Sequence, residues 1–191
     1  HQSLVINLGR ADDRWFLFSA GLGLDAEVLR RMEAQRAQGA RASIPRYMAS
    51  AILAHATTAI PLGKPQLRIE VPRQPPIDGI FTAVIQNASI WTYAGSLPLT
   101  FAPDASFHNG LWLYGIRSLD PISLANRLAL ATLSPSRLDP TGADLVEFRL
   151  TAAVPTPFQL DGDVVGERQD ITFTSVPAAL RVIAPTPEIG A

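Results

Sequence analysis

The chain has 191 residues, a formal net charge of −1, 47% apolar residues and 17% charged residues, which allows one large domain or two small ones with a real core and excludes wholesale disorder. The charge balance, with no Lys/Arg run and only a short arginine cluster (Arg30, Arg31, Arg36, Arg41, Arg46), speaks against a nucleic-acid partner. The absence of cysteine excludes disulfides, thiolate metal sites and cysteine nucleophiles together, and fits a reducing compartment.

Leu4–Leu8 and Trp15–Ser19 read as two strands joined by the polar turn Gly9–Arg14. The second runs into Gly21-Leu22-Gly23. From Asp25 to about Gln38, the spacing of Val28, Leu29 and Met32 predicts a helix with Asp25 as N-cap and Gly39 as stop. Ser43 and Pro45 open a second helix carrying Tyr47, Met48, Ile52 and Leu53 on one side. After Pro61 short β-branched or alternating runs take over: Gln66–Val71, Gly79–Gln86, Leu97–Ala102, Gly110–Ile116, Leu145–Thr151, Phe158–Leu160, Ile171–Ser175 and Leu180–Ala184. One helical stretch, Ile122–Leu133, interrupts them after Asp120-Pro121. This pattern predicts a mainly β (α+β) chain, an antiparallel β-sandwich with inserted helices over residues 1–184 and a flexible tail at 185–191. No apolar run approaches the ~20 residues that span a bilayer. The start, His1-Gln2-Ser3-Leu4, lacks a leader pattern and reads as that of a processed chain or a fragment.

Several motifs carry candidate chemistry. Gly21-Leu22-Gly23-Leu24-Asp25-Ala26 matches G-x-G-x-x-A after a strand, but no Asp or Glu occurs between Glu33 and Glu70 to close a dinucleotide unit. Gly63-Lys64 is no P-loop, because Thr58 stands where the first glycine belongs and Pro65 follows the lysine. Asp161-Gly162-Asp163 begins like a calcium loop, yet Val165 and Thr172 occupy the fifth and twelfth positions. Its other readings are a hairpin turn and two carboxylates held at the rim of a sheet, where a general base would meet a bound hydroxyl. His1, His55 and His108 have no metal-ligand spacing, no Gly-x-Ser-x-Gly elbow occurs, and Asn87-Ala88-Ser89 reads as an accidental glycosylation sequon. Trp91, Tyr93 and Phe107 line an apolar groove or belong to the core.

Three blocks in order resemble the diacylglycerol kinase catalytic family, which includes bacterial lipid kinases and sphingosine kinases. The first is Phe18-Ser19-Ala20-Gly21-Leu22-Gly23-Leu24-Asp25-Ala26-Glu27-Val28. The second runs from Asn87 through Trp91-Thr92-Tyr93-Ala94-Gly95 to Ala102-Pro103-Asp104-Ala105-Ser106-Phe107 and Gly110-Leu111. The third is Gln159-Leu160-Asp161-Gly162-Asp163 with Val176-Pro177-Ala178-Ala179-Leu180-Arg181-Val182. The resemblance covers the family's C-terminal half, a β-sandwich with inserted helices. The family's N-terminal nucleotide-binding half, with its Gly-Gly-Asp-Gly-Thr loop, has no counterpart in these residues.

The resemblance implies that Asp163 is the proton acceptor with Asp161 as its partner, that Asp25 holds the polar head of a lipid, and that Asn87 ends a strand near the cleft. It implies ATP and Mg²⁺ as cofactors of the intact enzyme, with none bound by this part alone. It also implies a lipid substrate such as diacylglycerol, the nucleotide-binding half as partner, and a cytoplasmic protein working peripherally at a membrane in phospholipid metabolism. A homodimer stays open. A structural magnesium site of bacterial members would fall at Ser106, Asn109 and Leu111, where the acidic ligands are missing. The expected function is thus the substrate domain of an ATP-dependent lipid kinase, inactive on its own, with an acyl pocket between the helices at Asp25–Met32 and Ser43–Ala56 and the sheets. The alternative is a non-catalytic lipid- or protein-binding sandwich.

Overall fold

The structure, a computed structural model, describes residues 1–24, 26, 66–94 and 96–185. The helices expected at 25–38 and from 43 onward, the arginine cluster, Asp25 and the acyl pocket expected between those helices and the sheets all lie outside the described residues. Twelve strands are described: β1 (Gln2–Ala11), β2 (Arg14–Phe16), β3 (Ser19–Leu22), β4 (Leu67–Glu70), β5 (Ile77–Ile80), β6 (Thr82–Gln86), β7 (Thr92–Ala94), β8 (Leu97–Leu99), β9 (Leu111–Ile116), β10 (Gly142–Leu145), β11 (Glu147–Leu160) and β12 (Asp163–Ala184). A helix, α1 (Pro121–Leu133), and a short 3₁₀ turn, Pro135–Arg137, stand between β9 and β10.

Ten strands form one sheet in the order β10-β9-β6-β3-β11-β12-β1-β2, with β4 pairing β11 and β5 pairing β4. All pairings are antiparallel. Two long strands let this sheet curl on itself. The first half of β12 pairs with β11, Leu160↔Asp163 to Glu147↔Thr174, while its second half pairs with β1, Ala11↔Phe173 to Gln2↔Ala184. On its other side β11 pairs with β4 at Arg149–Ala152 and with β3 at Phe158–Leu160.

The period-2 alternation explains what this curl encloses. Phe148 and Leu150 are buried between exposed Glu147 and Arg149, and Ile171, Phe173 and Ser175 are buried in turn along β12. With Phe16, Ala20, Leu22, Ile69, Ala83, Ile85, Leu111 and Leu113 they make one interior. Phe173 sits at its centre, stacked on Phe148 at 5.1 Å and edge-on to Phe16 and Phe158 at 6.2 Å. Burying each such ring is worth about 2 kcal/mol. The exposed ion pairs Arg149–Asp170 and Arg68–Asp78 add at most about 1 kcal/mol each, so the aromatic interior and not the surface charge holds the sheet closed. Strand β6 is buried on both faces: Ala83 and Ile85 face the interior, while Val84 joins Tyr114, Ile116 and Ala131 in a second cluster under α1.

The structure corrects the expected element boundaries. Leu145 ends β10, but the rest of Leu145–Thr151, from Glu147 on, is not a strand separate from Phe158–Leu160, and Ile171–Ser175 and Leu180–Ala184 are not separate either. Each pair belongs to one long strand that passes Pro155 by the bulge at Thr151/Thr156 in β11 and Pro177 by the irregularity opposite Ile6/Leu8 in β12, while Pro157 stays in register opposite Glu167. Proline cannot donate to a ladder, but a bulge leaves a residue unpaired, so the strand bends and continues. In the opposite sense, Trp15–Ser19 is broken at Leu17-Phe18 into β2 and β3, and Gly79–Gln86 is broken at Phe81 into β5 and β6.

The helix α1 forms as its sequence predicts. Asp120 is its N-cap (φ −61°, ψ 141°), its carboxylate accepting from Ser123 N at 2.8 Å, with Pro121 in the first turn. The hydrogen bonds from Ser118 and Ser123 hold the Asp120 carboxyl down at about 2, below its ordinary 3.8. Because this value is depressed in the folded state, the cap stabilises the helix above pH ~4 and loses its effect as pH falls toward ~2. Asp120→Ala is therefore expected to lower the melting temperature at pH 6. The gap to wild type closes between pH ~4 and pH ~2 in thermal melts; a gap independent of pH would show that the charge on Asp120 is not what caps α1.

Candidate functional site

Strands β11 and β12 are joined by a two-residue hairpin, Asp161-Gly162, flanked by the pair Leu160↔Asp163. Both turn residues have positive φ, 49° and 90°, the requirement of a type I′ turn and the reason Asp-Gly stands there. The turn is fastened from inside: Gly162 N donates to Gln159 Oε1 at 3.0 Å, and Asp161 N donates to Ser19 O at 2.8 Å.

The Asp161 carboxylate reaches across the sheet to the segment Leu17–Ser19, which links β2 to β3. Leu17 N donates to Oδ2 at 2.6 Å, and Phe18 N and Ser19 N donate to Oδ1 at 2.7 and 2.9 Å. The carbonyls of the same segment are also taken. Asn87 Nδ2 donates to Leu17 O at 2.8 Å, Asn87 N donates to Phe18 O at 2.9 Å, and Ser19 O is the acceptor of Asp161 N. Every backbone polar group of Leu17, Phe18 and Ser19 is thus satisfied by Asp161 or Asn87. Asn87 is fully buried at the end of β6 and also donates to Asn7 O at 3.1 Å. Its Oδ1 is buried and meets no donor among the described residues.

This clasp forms one wall of a groove of about 600 Å³ lined by Phe18, Ser19, Gln159, Asp161 and Gly162 on one side and by Ala88–Tyr93 and Phe107 on the other. Trp91, Tyr93 and Phe107 line it together, with Phe107 6.0 Å from Phe18. The opposite wall depends on Gln86, a residue that the sequence does not single out. Its buried amide donates to Ala88 O and Ser89 O at 2.8 Å and accepts from Phe101 N at 2.9 Å, bending the chain out of β6 toward Trp91. The local signal was two amides, Gln86-Asn87, closing an apolar strand. Asp161 is the only acidic side chain among the described residues that line the groove.

The hairpin divides the two expected carboxylates. Asp161 lines the groove, whereas Asp163, the first residue of β12, is exposed and does not line it. The Asp163 side chain makes no hydrogen bond or ion pair among the described residues. Asp25 lies outside those residues. The Gly21–Gly23 turn leads out of β3, whose two neighbours both run antiparallel to it, so among the described residues the parallel unit of a dinucleotide fold is not formed. Gly23 has φ 96°, and a side chain there would press on Phe81 O.

At Ser106–Leu111 the donor set does not fit a hard cation. Asn109 Oδ1 accepts from Ser106 N and its Nδ2 donates to Asp104 O, both at 3.0 Å, so an N–H points at a carbonyl that a metal would need free. Leu111 is in the core, Asp144 Oδ1 accepts from Gly110 N at 2.5 Å, and the described residues hold no cluster of three His, Asp or Glu able to share an ion. The Asn109 amide closes this loop by hydrogen bonds alone.

No sequence-family model matches the chain, and no curated protein sequence matches it. Solved structures do. A crystal structure of a diacylglycerol kinase from Bacillus anthracis str. Sterne superposes with a TM-score of 0.67 at 14% identity, over 99% of this chain and 59% of its own. Two further structures of diacylglycerol kinase-like proteins from the same organism give 0.65 at 13% identity, over 99% and 57%, and 0.62 at 12% identity, over 98% and 56%. The chain therefore has the fold of part of those proteins and spans less than three-fifths of their length.

Asp161→Ala removes the acceptor of three backbone N–H groups and puts a residue without a polar side chain at positive φ. The expected cost is roughly 1–3 kcal/mol in chemical denaturation, with Asp163→Ala within about 0.5 kcal/mol of wild type. Equal effects of the two substitutions would contradict the clasp.

Proposed function

We propose that this chain is the acceptor-substrate part of a lipid kinase, holding the hydroxyl of diacylglycerol or a related lipid alcohol in the groove beside Asp161. The observation that carries the reading is the groove: apolar and aromatic walls with one fixed carboxylate, on a fold shared with diacylglycerol kinase structures. A long apolar ligand with one hydroxyl matches that lining, since burial favours the chain and a single convergent polar group orients the alcohol. Phe18 (48% exposed) and Tyr93 (59%) line the groove, and Leu97 (54%) stands on the β7–β8 hairpin. They offer apolar contacts to a lipid surface, in keeping with peripheral binding. Among the described residues no helix is long and apolar enough to cross a membrane.

Two carboxylates take different parts. Asp161 already receives three N–H groups, two on Oδ1 and one on Oδ2, so its remaining lone pair on Oδ2 suits holding and orienting the hydroxyl. The Asp163 side chain is unengaged among the described residues. It does not line the groove but follows Gly162, which does, so in this reading it takes the proton of a hydroxyl held at the groove's mouth. In the reaction the lipid oxygen forms a bond to the γ-phosphorus of ATP, the bond from that phosphorus to the β–γ bridging oxygen breaks, ADP leaves and Asp163 receives the hydroxyl proton. ATP with Mg²⁺ supplies the phosphoryl group and neutralises its charge, and the protein's task is chiefly alignment. In this reading the nucleotide is held by the nucleotide-binding half that the resemblance implies.

A second reading, lipid binding without chemistry, draws on the engagement of Asp161 by three amides, which suits a purely structural carboxylate. The test is ATP-dependent phosphorylation of diacylglycerol by the complete gene product. The kinase reading expects activity that falls about 10²–10⁴-fold in kcat in Asp163→Asn, with Asp161→Asn acting mainly on KM. No activity toward any lipid alcohol, or activity that survives the Asp161→Asn/Asp163→Asn double change, contradicts it; lipid binding without turnover selects the second reading.

A further inference from the structure

A second cavity, sharing no residue with the groove, opens between the end of β9, α1 and the 3₁₀ turn that follows it. Its volume is about 530 Å³, and three arginines line it: Arg117, Arg127 and Arg137. None of them is matched to a carboxylate by an ion pair among the described residues. Arg127 lies over the ring of Tyr114 at 5.8 Å and donates to its hydroxyl at 2.5 Å. That neutral partner fixes the guanidinium without cancelling its charge. Arg117 donates to the backbone carbonyl of Asp78 at 2.9 Å, again a neutral acceptor, while the Asp78 carboxylate is taken by Arg68 at 3.0 and 3.1 Å. Arg137 is exposed, and its guanidinium makes no hydrogen bond or ion pair among the described residues. The one carboxylate lining the cavity is Asp139, which leaves a local excess of positive charge in a chain whose net charge is −1. The exposed Asn126 amide adds a neutral donor to the same wall.

Three like charges brought to one concavity repel each other, and an anion that enters relieves the repulsion. Guanidinium forks match the paired oxygens of a phosphate better than any other common anion, and two or three of them around one phosphate give directional, charge-assisted bonds. Among the described residues only Arg68 and Arg149 are ion-paired; what sets Arg117, Arg127 and Arg137 apart is that all three line one cavity. We propose that this cavity is an anion site for a phosphate group, carried either by a phospholipid headgroup or by a small soluble phosphate compound. The proposal does not depend on the lipid-kinase reading.

Two probes separate the sources. Inorganic pyrophosphate is titrated into the 191-residue chain by calorimetry at about 50 mM salt, where screening is modest. In parallel, vesicles of phosphatidylcholine with and without phosphatidic acid are tested by co-sedimentation. Binding to pyrophosphate that weakens about tenfold or more in Arg117→Gln/Arg137→Gln supports the site with a soluble ligand. Sedimentation only with phosphatidic acid vesicles, lost in the same variant, supports it with a lipid headgroup. Arg137→Glu, a single exposed change, is the control for folding and is expected to weaken the same binding. Failure of the wild-type chain to bind either probe, or equal binding by the variants, overturns the proposal.

Discussion

The carboxylate of Asp161 is the point on which the functional end of this molecule depends. Leu17 and Phe18 belong to no strand, yet they cross from β2 on one part of the sheet to β3 on another. Their N–H groups, with that of Ser19, converge on one side chain 142 to 144 positions later in the sequence. A segment of this kind, left to water, would be a loose link. Clasped by Asp161 and Asn87 it becomes a fixed wall, and the price is one buried Asn87 oxygen without a donor among the described residues. The groove follows from this constraint, because Phe18 and Ser19 form its wall only while the clasp is closed.

The other wall obeys the same logic with different residues. Gln86 turns the chain out of β6, and Trp91 packs on Phe101, which stacks on Tyr114 at 4.9 Å. Buried amides, Gln86 and Asn87 side by side, thus set both walls from the end of one strand. Amides suit this work: each can donate and accept at once, so a strand end can be satisfied without burying a charge. Asn7 does likewise at the β1 bulge, accepting from Ala178 N and donating to Asn109 O. The sheet is therefore held by its aromatic interior and shaped at its open end by carboxamides and one carboxylate.

Much of this was legible in the residues because it is local. The Asp-Gly hairpin, the Asp120-Pro121 helix start and the alternation of Phe148–Leu150 and Ile171–Phe173 are each written within a few positions. Strand continuity was not, since Pro155, Pro157 and Pro177 read as breaks, and only pairing with distant partners shows that the strands continue past them. The groove aromatics Trp91, Tyr93 and Phe107 were visible as candidates, but sequence could not separate lining from core. The roles of Gln86 and Asn7 were invisible, because their partners are set by tertiary approach. The acid pair Asp161 and Asp163 was visible as a pair, whereas their division between groove and exposed strand end comes from the turn geometry. Asn109 shows how an amide sets a loop's chemistry, its N–H standing where an oxygen ligand set would need a bare carbonyl.

Fold and function stand at different distances from these residues. The likeness to diacylglycerol kinase structures supports the curled sheet; the proposed chemistry rests on Asp161 and its groove. The most direct measurement is amide hydrogen exchange, residue by residue, at Leu17, Phe18 and Ser19. The account predicts slow exchange at all three, comparable with β3, although Leu17 and Phe18 lie outside any strand and Phe18 is exposed. Exchange of Leu17 and Phe18 at the rate of an unstructured chain would mean that the clasp does not close, and the wall of the groove would go with it.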